Sequence, residues 1–424
     1  MERLRALFPS NPRLDLYLGA LGELRGTGAP LRQSLGLDPQ TGANRGSIEF
    51  AAAPLALPDI EEGPQWLVRV DHHQSDAHRL SWRYIRDSRL ETPNNAPVYT
   101  VNFPGFILDS GERNQNFLFT DSCTFGPSFT NEFRFSYGRL DVDQSPISAR
   151  SVPLAHTLPL IRIPNISAPG VDSAQQFRHA HNLLFQETQT KLTGGHTFRY
   201  GAELLRQLAT QRPLAIIQGE IRYTSAADYS AFANFLDDYG GPGARILRTI
   251  GAKVFHPNQF RQTYFFQDTW KATPSLTLTL GLRYENFGQV ANVVRYPAFA
   301  GFDPDRFFEP NKVNRDDNNF GPAFGLAWSP SLQSGWLAKL FGNRRTVWRG
   351  GYQISYQALY TVMLSLNLAT TTPNAVFVDI IGPSGPMAPR GDANWFARLP
   401  APTLRPPMLS DAQQGAIEKN LRSP

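Results

Sequence analysis

Apolar and polar residues alternate along this chain with a period of two, in segments of about ten residues. The sharpest case places Leu276, Leu278, Leu280, Leu282 and Tyr284 on one face, with Thr277, Thr279, Gly281, Arg283 and Glu285 on the other. Successive side chains of a strand point to opposite faces, so this segment predicts a strand with one greasy and one polar wall. The same spacing gives Trp66, Val68, Val70, then Leu80, Trp82, Tyr84, then Phe129, Phe133, Phe135, Tyr137. It continues through Phe198, Tyr200, Ala202, Leu204, through Tyr264, Phe266, Trp270, and through Phe324, Leu326, Trp328. The last clear run is Trp348, Tyr352, Ile354, Tyr356.

Alternation alone also fits a soluble sandwich, which hides one face of every strand. The connections separate the two. Short turns join strands at His73–Ala77, Gly126–Ser128, Thr193–Gly195 and Ala272–Pro274. Between these hairpins lie long polar stretches, at about Ser88–Arg113, Asp141–His179, Thr210–Pro257 and Gly288–Asn319. Tight turns at one end and long loops at the other are the rhythm of an outer-membrane barrel, whereas soluble domains seldom carry several such loops. Pro330–Asn343 is longer than the other turns, and Trp336, Leu337 and Leu340 predict a short helix there. From Leu276 to Tyr284 is about 26 Å of strand, which at a tilt of about 40° covers roughly 20 Å of a band about 25 Å tall.

The aromatics carry the same message. Trp270, Trp328 and Trp348 fall at the short-turn ends of their strands, and Tyr137, Tyr284 and Tyr356 at the long-loop ends. Together with Trp82 they are the expected membrane-interface residues, because Trp and Tyr have one apolar edge and one that hydrogen-bonds.

Composition narrows the classes further. Charged residues are 18% of 424, mean hydropathy is −0.33, and no run approaches the length of a membrane helix. The net charge of +5 is small and its Lys and Arg are scattered, so no nucleic-acid partner is expected. The single cysteine, Cys123, rules out an internal disulfide framework and any multi-cysteine metal site. Met1-Glu2-Arg3-Leu4-Arg5 is not followed by an apolar signal segment, which leads us to expect a chain that starts inside a longer protein.

The segment Thr263-Tyr-Phe-Phe-Gln-Asp-Thr-Trp-Lys-Ala-Thr-Pro-Ser-Leu-Thr-Leu-Thr-Leu-Gly-Leu-Arg-Tyr-Glu285 resembles the barrel hairpin of TonB-dependent receptors, especially the Oar-like group. Gly195–Glu203, Asn319–Pro330, Thr346–Tyr356 and Asn131–Arg139 are similar to neighbouring strands of that group, in the same order, from about Trp66 to Tyr356. The resemblance implies a barrel of about 22 strands with a plug, taking up a scarce solute (siderophore, oligosaccharide or peptide) with energy from the TonB complex. This chain shows about ten to twelve candidate strands, no TonB-box-like segment, no plug and no terminal aromatic strand. Alone it would leave sheet edges unpaired in lipid and is not expected to transport.

The expected fold is therefore all-β, an antiparallel transmembrane barrel, partial, with long extracellular loops. Residues 1–60 are expected to hold N-terminal barrel strands and a loop, 61–356 the antiparallel strands, and 357–424 an extracellular loop or irregular segment. The expected setting is the outer membrane of a Gram-negative cell. Partners are the lipid, an unknown extracellular solute, and a plug and TonB complex met through parts outside this chain. The polar wall carries Arg69, Arg83, Glu132, Arg134, Arg199, Glu203, Arg283, Glu285 and Arg349 as lumen-facing candidates, whose plainest role is ion pairing between neighbouring strands.

No catalytic motif stands out, so no enzyme, cofactor or metal site is expected. His72, His73 and His78 around one turn, and His179 with His181, read as polar turn and loop-end residues lacking a recognised ligand set. Asp303, Asp305, Asp316 and Asp317 read as solvated loop carboxylates without an EF-hand pattern. Two other classes stay open: a surface or adhesion protein anchored by the same barrel, and a soluble all-β carbohydrate-binding protein. Leu278→Arg and Leu280→Arg separate the last from the membrane reading. On a lipid face each is expected to cost about 2–4 kcal/mol, read as a shifted urea midpoint in lipid vesicles, whereas in a packed soluble core each would prevent folding.

Overall fold

A computed structural model of the protein describes residues 2–8, 11–21, 26–53, 60–92, 108–146, 158–170, 176–212, 216–251, 254–297, 312–331, 334–342, 344–358, 368–370, 374–382, 390–391, 393–401 and 419–420. In chain order come α1 (Glu2–Leu7), α2 (Pro12–Leu21), and a hairpin of β1 (Leu31–Ser34) and β2 (Ser47–Phe50). Next are β3 (Ile60–Glu62), β4 (Gln65–Ser75), β5 (His78–Thr92), β6 (Leu108–Thr124) and β7 (Phe129–Pro146). A short β8 (Leu160–Arg162) precedes the long pair β9 (Gln176–Thr193) and β10 (His196–Arg212). Then follow β11 (Glu220–Arg222), α3 (Ala231–Asp237), β12 (Arg245–Gly251), β13 (Gln259–Thr273) and β14 (Leu276–Asn286). The remaining elements are β15 (Asn319–Trp328), α4 (Trp336–Phe341), β16 (Trp348–Gln353) and β17 (Ala375–Ile381).

Eleven strands make one sheet in the order β16-β15-β14-β13-β10-β9-β7-β6-β5-β3, with β4 also on β5. Each pair in it is antiparallel. The expected turns close the hairpins, and Gly194 at the β9–β10 turn has φ +54°, where a side chain would be strained. The expected helix in the β15–β16 connection is α4. Among the described residues no strand closes this sheet into a ring.

The register shows how the strands are inclined. The outward row through the middle of β5's apolar run is Val70–Trp82–Phe119–Phe135–Phe185–Leu204. Followed further, it reaches Gln262 on β13 and Asn286 on β14. The apolar run of β14 is centred on Leu280, six residues away from Asn286, and β14 lies six strands from β5. The apolar band thus slides about one residue per strand. A rise of about 3.3 Å against a strand spacing of about 4.8 Å gives a tilt of about 35°, within the range of membrane barrels. Tyr264, Phe266, Leu280, Leu282, Phe324 and Tyr352 on this outward face are all exposed, as a lipid-facing wall requires.

The long connections are not structureless. β7 and β9 have 18 residues each, more than a membrane needs, and extend into the stretches expected to be loops. Beyond lipid both faces of a strand can be polar, so alternation no longer marks it. The β7–β9 and β10–β13 connections then contribute β8, β11 and β12 to a second sheet, ordered β17-β12-β11-β8, with β11 and β8 parallel.

This sheet, α1, α2, α3 and the β1–β2 hairpin enclose a common core that includes Leu14, Tyr17, Ile221, Tyr223, Phe232, Phe235, Ile246 and Trp395. We call it the cap. Two expectations are corrected by it. α1, α2 and the β1–β2 hairpin lie in the cap, and none of the described residues among 2–53 belongs to the wall sheet. Within 357–424, β17 and the turn Trp395–Arg398 are cap structure, not an irregular loop. In both cases apolar side chains find partners far away in sequence, which outweighs weak local pattern.

α3 shows how the cap is held. Ser230 Oγ accepts from Ala233 N at 3.1 Å and starts the helix. Asp238, in the left-handed region at its end, accepts from Tyr223 Oη at 2.9 Å and from Arg13 at 3.1 Å. Burial, reinforced by the Asp238 carboxylate, pushes the Tyr223 hydroxyl well above its ordinary pKa, so it remains a donor. Phe232 is fully buried against Phe50, Tyr17 and Phe235, with ring centroids 4.8, 5.7 and 5.9 Å away. Phe232→Ala is expected to destabilise the cap by about 3–5 kcal/mol. Hydrogen exchange should then show protection lost in residues 216–251 and 26–53 while β13 and β14 keep theirs.

Candidate functional site

Opposite the apolar wall, the inward positions of consecutive strands form polar rows. One runs through nine strands as Asp71–Ser81–Thr120–Arg134–Gln186–Glu203–Thr263–Glu285–Asn319. Every position in it can hydrogen-bond. Alternation on each strand, carried in register by the backbone ladder, is sufficient to build it.

On this face lies a concavity of about 700 Å³ spanning β7 to β16. Six of the nine polar residues expected from the sequence border it: Glu132, Arg134, Arg199, Glu203, Arg283 and Glu285. Gln186, Thr188, Gln267 and Gln353 add amides and a hydroxyl, and Gly281 and Gly321 leave its floor low. The same face holds Arg69, Arg83 and Arg349, outside the concavity.

Among the polar residues expected from the sequence, the ion pairs run along strands instead of between them. Arg134 meets Glu132 at 2.8 Å, Arg283 meets Glu285 at 2.9 Å, and Arg69 meets Asp71 at 2.8 Å, each partner two residues away on the same face. The expectation of pairing across strands is corrected. Directly opposite Arg134 stand Thr120 and Gln186, opposite Arg283 stand Phe265 and Gly321, and Arg69 faces Arg83. Like charges face to face are unfavourable, so Arg69 turns to Asp71 and Arg83 donates to Asn116 Oδ1 at 3.3 Å. Residues i and i+2 lie about 6.6 Å apart along a strand, a gap an arginine bridges easily.

Arg199 and Glu203 are different. Gln186 Nε2 donates to Glu203 at 2.8 Å, but Glu203 has no cationic partner among the described residues. Arg199, opposite Thr190 and Gln267, has no ion-pair or hydrogen-bond partner among them. The concavity therefore offers one guanidinium and one carboxylate with free capacity, in a lining otherwise balanced in charge.

The expected interface aromatics divide. Trp270, Trp328 and Trp348 lie outward at the short-turn end, Trp328 directly opposite Trp348. Tyr284 stacks with Tyr264 at the other end, and Tyr137 Oη lies 2.8 Å from His181 Nδ1. Trp82 stands in the middle of its strand's apolar run. Tyr356 is a correction: β16 ends at Gln353, the alternation stops there, and Tyr356 borders the polar concavity with its hydroxyl donating to Phe320 O at 3.2 Å.

Two of the other polar groups weighed in the sequence pair with neighbouring elements. His179 Nε2 lies 3.3 Å from Asp143, and Asp317 accepts from Asn286 at 2.7 Å. Asp303 and Asp305 lie outside the described residues.

The family model described as outer membrane beta barrel domain matches residues 31–424. Among solved structures, the chain is similar to the outer membrane transporter YddB from Escherichia coli, with a TM-score of 0.40 and 13% identity over 78% of this chain. It spans 35% of that chain's length. No curated protein matches it.

Half-exposed ion pairs within one strand contribute little to stability, about 0–1 kcal/mol. Glu132→Gln is accordingly expected to move the urea midpoint of the vesicle-inserted protein by no more than that, leaving the fold intact.

Proposed function

We propose that this chain, which belongs to the outer membrane beta barrel domain family and resides in the outer membrane, supplies about half the wall of a TonB-dependent uptake receptor. Its apolar face meets lipid. Its polar face meets a plug domain and a scarce solute rich in hydrogen-bonding groups, an oligosaccharide, peptide or siderophore, on the way through. The remaining strands, the plug and the TonB contact belong to parts outside the chain, since unpaired sheet edges do not persist in lipid.

The observation that carries this reading is the pairing state of the concavity. A wall that served only as an anchor could satisfy its inward charges internally, as Glu132 with Arg134 and Glu285 with Arg283 do. Arg199 and Glu203, bordering the same concavity, retain capacity for an external group.

The test is solute uptake by cells carrying the gene in its native context. The double variant Arg199→Ala, Glu203→Ala is expected to weaken uptake roughly 10- to 100-fold, the loss of about 1.5–3 kcal/mol of charge-assisted hydrogen bonding, with outer-membrane abundance unchanged. Collapsing the proton-motive force should abolish uptake in the wild type. Uptake that survives this treatment would remove the TonB part of the proposal, and a double variant that transports normally would remove the role of the concavity.

A further inference from the structure

On the outward face near the β4–β5 turn, three side chains capable of binding a metal converge. His78 on β5 and Cys123 on β6 are directly opposed, and Asp121 lies two residues from Cys123 on the same face. His78 Nε2 is 2.9 Å from Asp121 Oδ1, and Cys123 Sγ is 3.5 Å from the same oxygen. The three ligand atoms all lie within 4.8 Å of one another.

These separations can be compared with those around a tetrahedral ion. Zinc takes nitrogen and oxygen at about 2.0–2.1 Å and sulfur at about 2.3 Å, which places N and O about 3.3 Å apart and S and O about 3.5 Å apart. The sulfur–oxygen distance already matches. The nitrogen–oxygen distance is shorter than its value by a few tenths of an ångström. Two paired strands hold the three residues, so the set is prepared before any ion arrives. Soft thiolate, borderline imidazole and a single carboxylate suit Zn²⁺ and not the all-oxygen preference of Ca²⁺ or Mg²⁺.

Charge supports the same assignment. Asp121 shares its row with Leu80 and Phe133 on the outward face. A carboxylate beside apolar side chains is costly unless it is paired. Zn²⁺ with one carboxylate and one thiolate is net neutral, the thiol proton being released to solvent on binding. We propose that His78, Asp121 and Cys123 bind one zinc ion that clips β5 to β6 at the turn rim, its fourth position open to water.

Cys123 is the one cysteine of the chain, so a thiol reagent reports on this place alone. In membranes carrying the full chain, added Zn²⁺ is expected to slow maleimide labelling of Cys123 at least tenfold, and EDTA to restore it. His78→Ala and Asp121→Asn should label at the same rate with and without zinc, whereas His73→Ala, on the opposite face, should keep the protection. Co²⁺ should give the wild-type protein a thiolate-to-metal absorption band that prior alkylation of Cys123 abolishes, a readout independent of how the variants assemble. The proposal is overturned if zinc leaves wild-type labelling unchanged, if it protects His78→Ala and Asp121→Asn equally well, or if the cobalt band does not appear.

Discussion

In lipid, every backbone N–H and C=O must find its partner within the protein, and the rest of this structure depends on that requirement. The wall meets it with an antiparallel ladder of eleven strands, ten of them side by side. Because the ladder fixes register, it also fixes which side chains share a row. It thereby sets the tilt, the apolar band and the polar concavity together. A one-residue slip between two strands would exchange the faces of every residue beyond it, putting arginines in lipid and leucines in the concavity. The specificity of the fold thus resides in the pairing, with the side chains selecting one register among those the backbone allows.

How much of this was legible depended on how cleanly each strand's outward face is apolar. β14 alternates without a break and declares itself from five residues, Leu276 to Tyr284. β6 and β9 do not. Their outward positions include Asp121 and Cys123, then Glu187 and Gln189, so only a few residues such as Phe117, Phe119, Leu183 and Phe185 hint at the pattern. Strands of that kind are recovered from their neighbours, whose hairpin turns leave them nowhere else to run. The cap was illegible for a different reason. Its core combines Tyr17, Tyr223, Phe232 and Trp395, residues separated by up to several hundred positions, and no local periodicity records such an assembly. One signal was available: Ser230 followed by Ala231, Phe232, Phe235 and Leu236 is an N-cap ahead of helically spaced apolar residues.

The polar face was legible as a set of residues and not as a set of interactions. Alternation gives the side of the sheet on which Arg134 or Glu285 lies. It does not give their partners, because these depend on register and on whether a long side chain finds an opposite charge nearer along its own strand. The i, i+2 spacing of Glu132 with Arg134, and of Arg283 with Glu285, was present in the sequence and is a better guide than the strand order. Arg199 and Glu203, four residues apart on β10, are too far from each other for the same device, so their availability follows from spacing alone.

The cap raises a question of specificity. Asp237, nearly buried at the end of α3, pairs with Arg45 at 2.8 Å and with Arg390, while Arg390 also donates to Asn234 at 3.0 Å and stacks on Tyr229 at 3.9 Å. Desolvating such a cluster offsets much of its Coulombic gain, so it is a poor source of net stability compared with the aromatic core beside it. What it does supply is discrimination. Aromatic side chains pack acceptably in many arrangements, but a buried carboxylate left without its guanidinium is strongly unfavourable, and only one arrangement of three distant segments brings Arg45, Asp237 and Arg390 together. Since two of the connections between wall strands run through the cap, one docking of the cap also sets where β7, β9, β10 and β13 emerge. The ion cluster therefore restrains the loop ends of the strands that carry Glu132, Arg134, Arg199 and Glu203, tying the shape of the concavity to charges far from it in sequence.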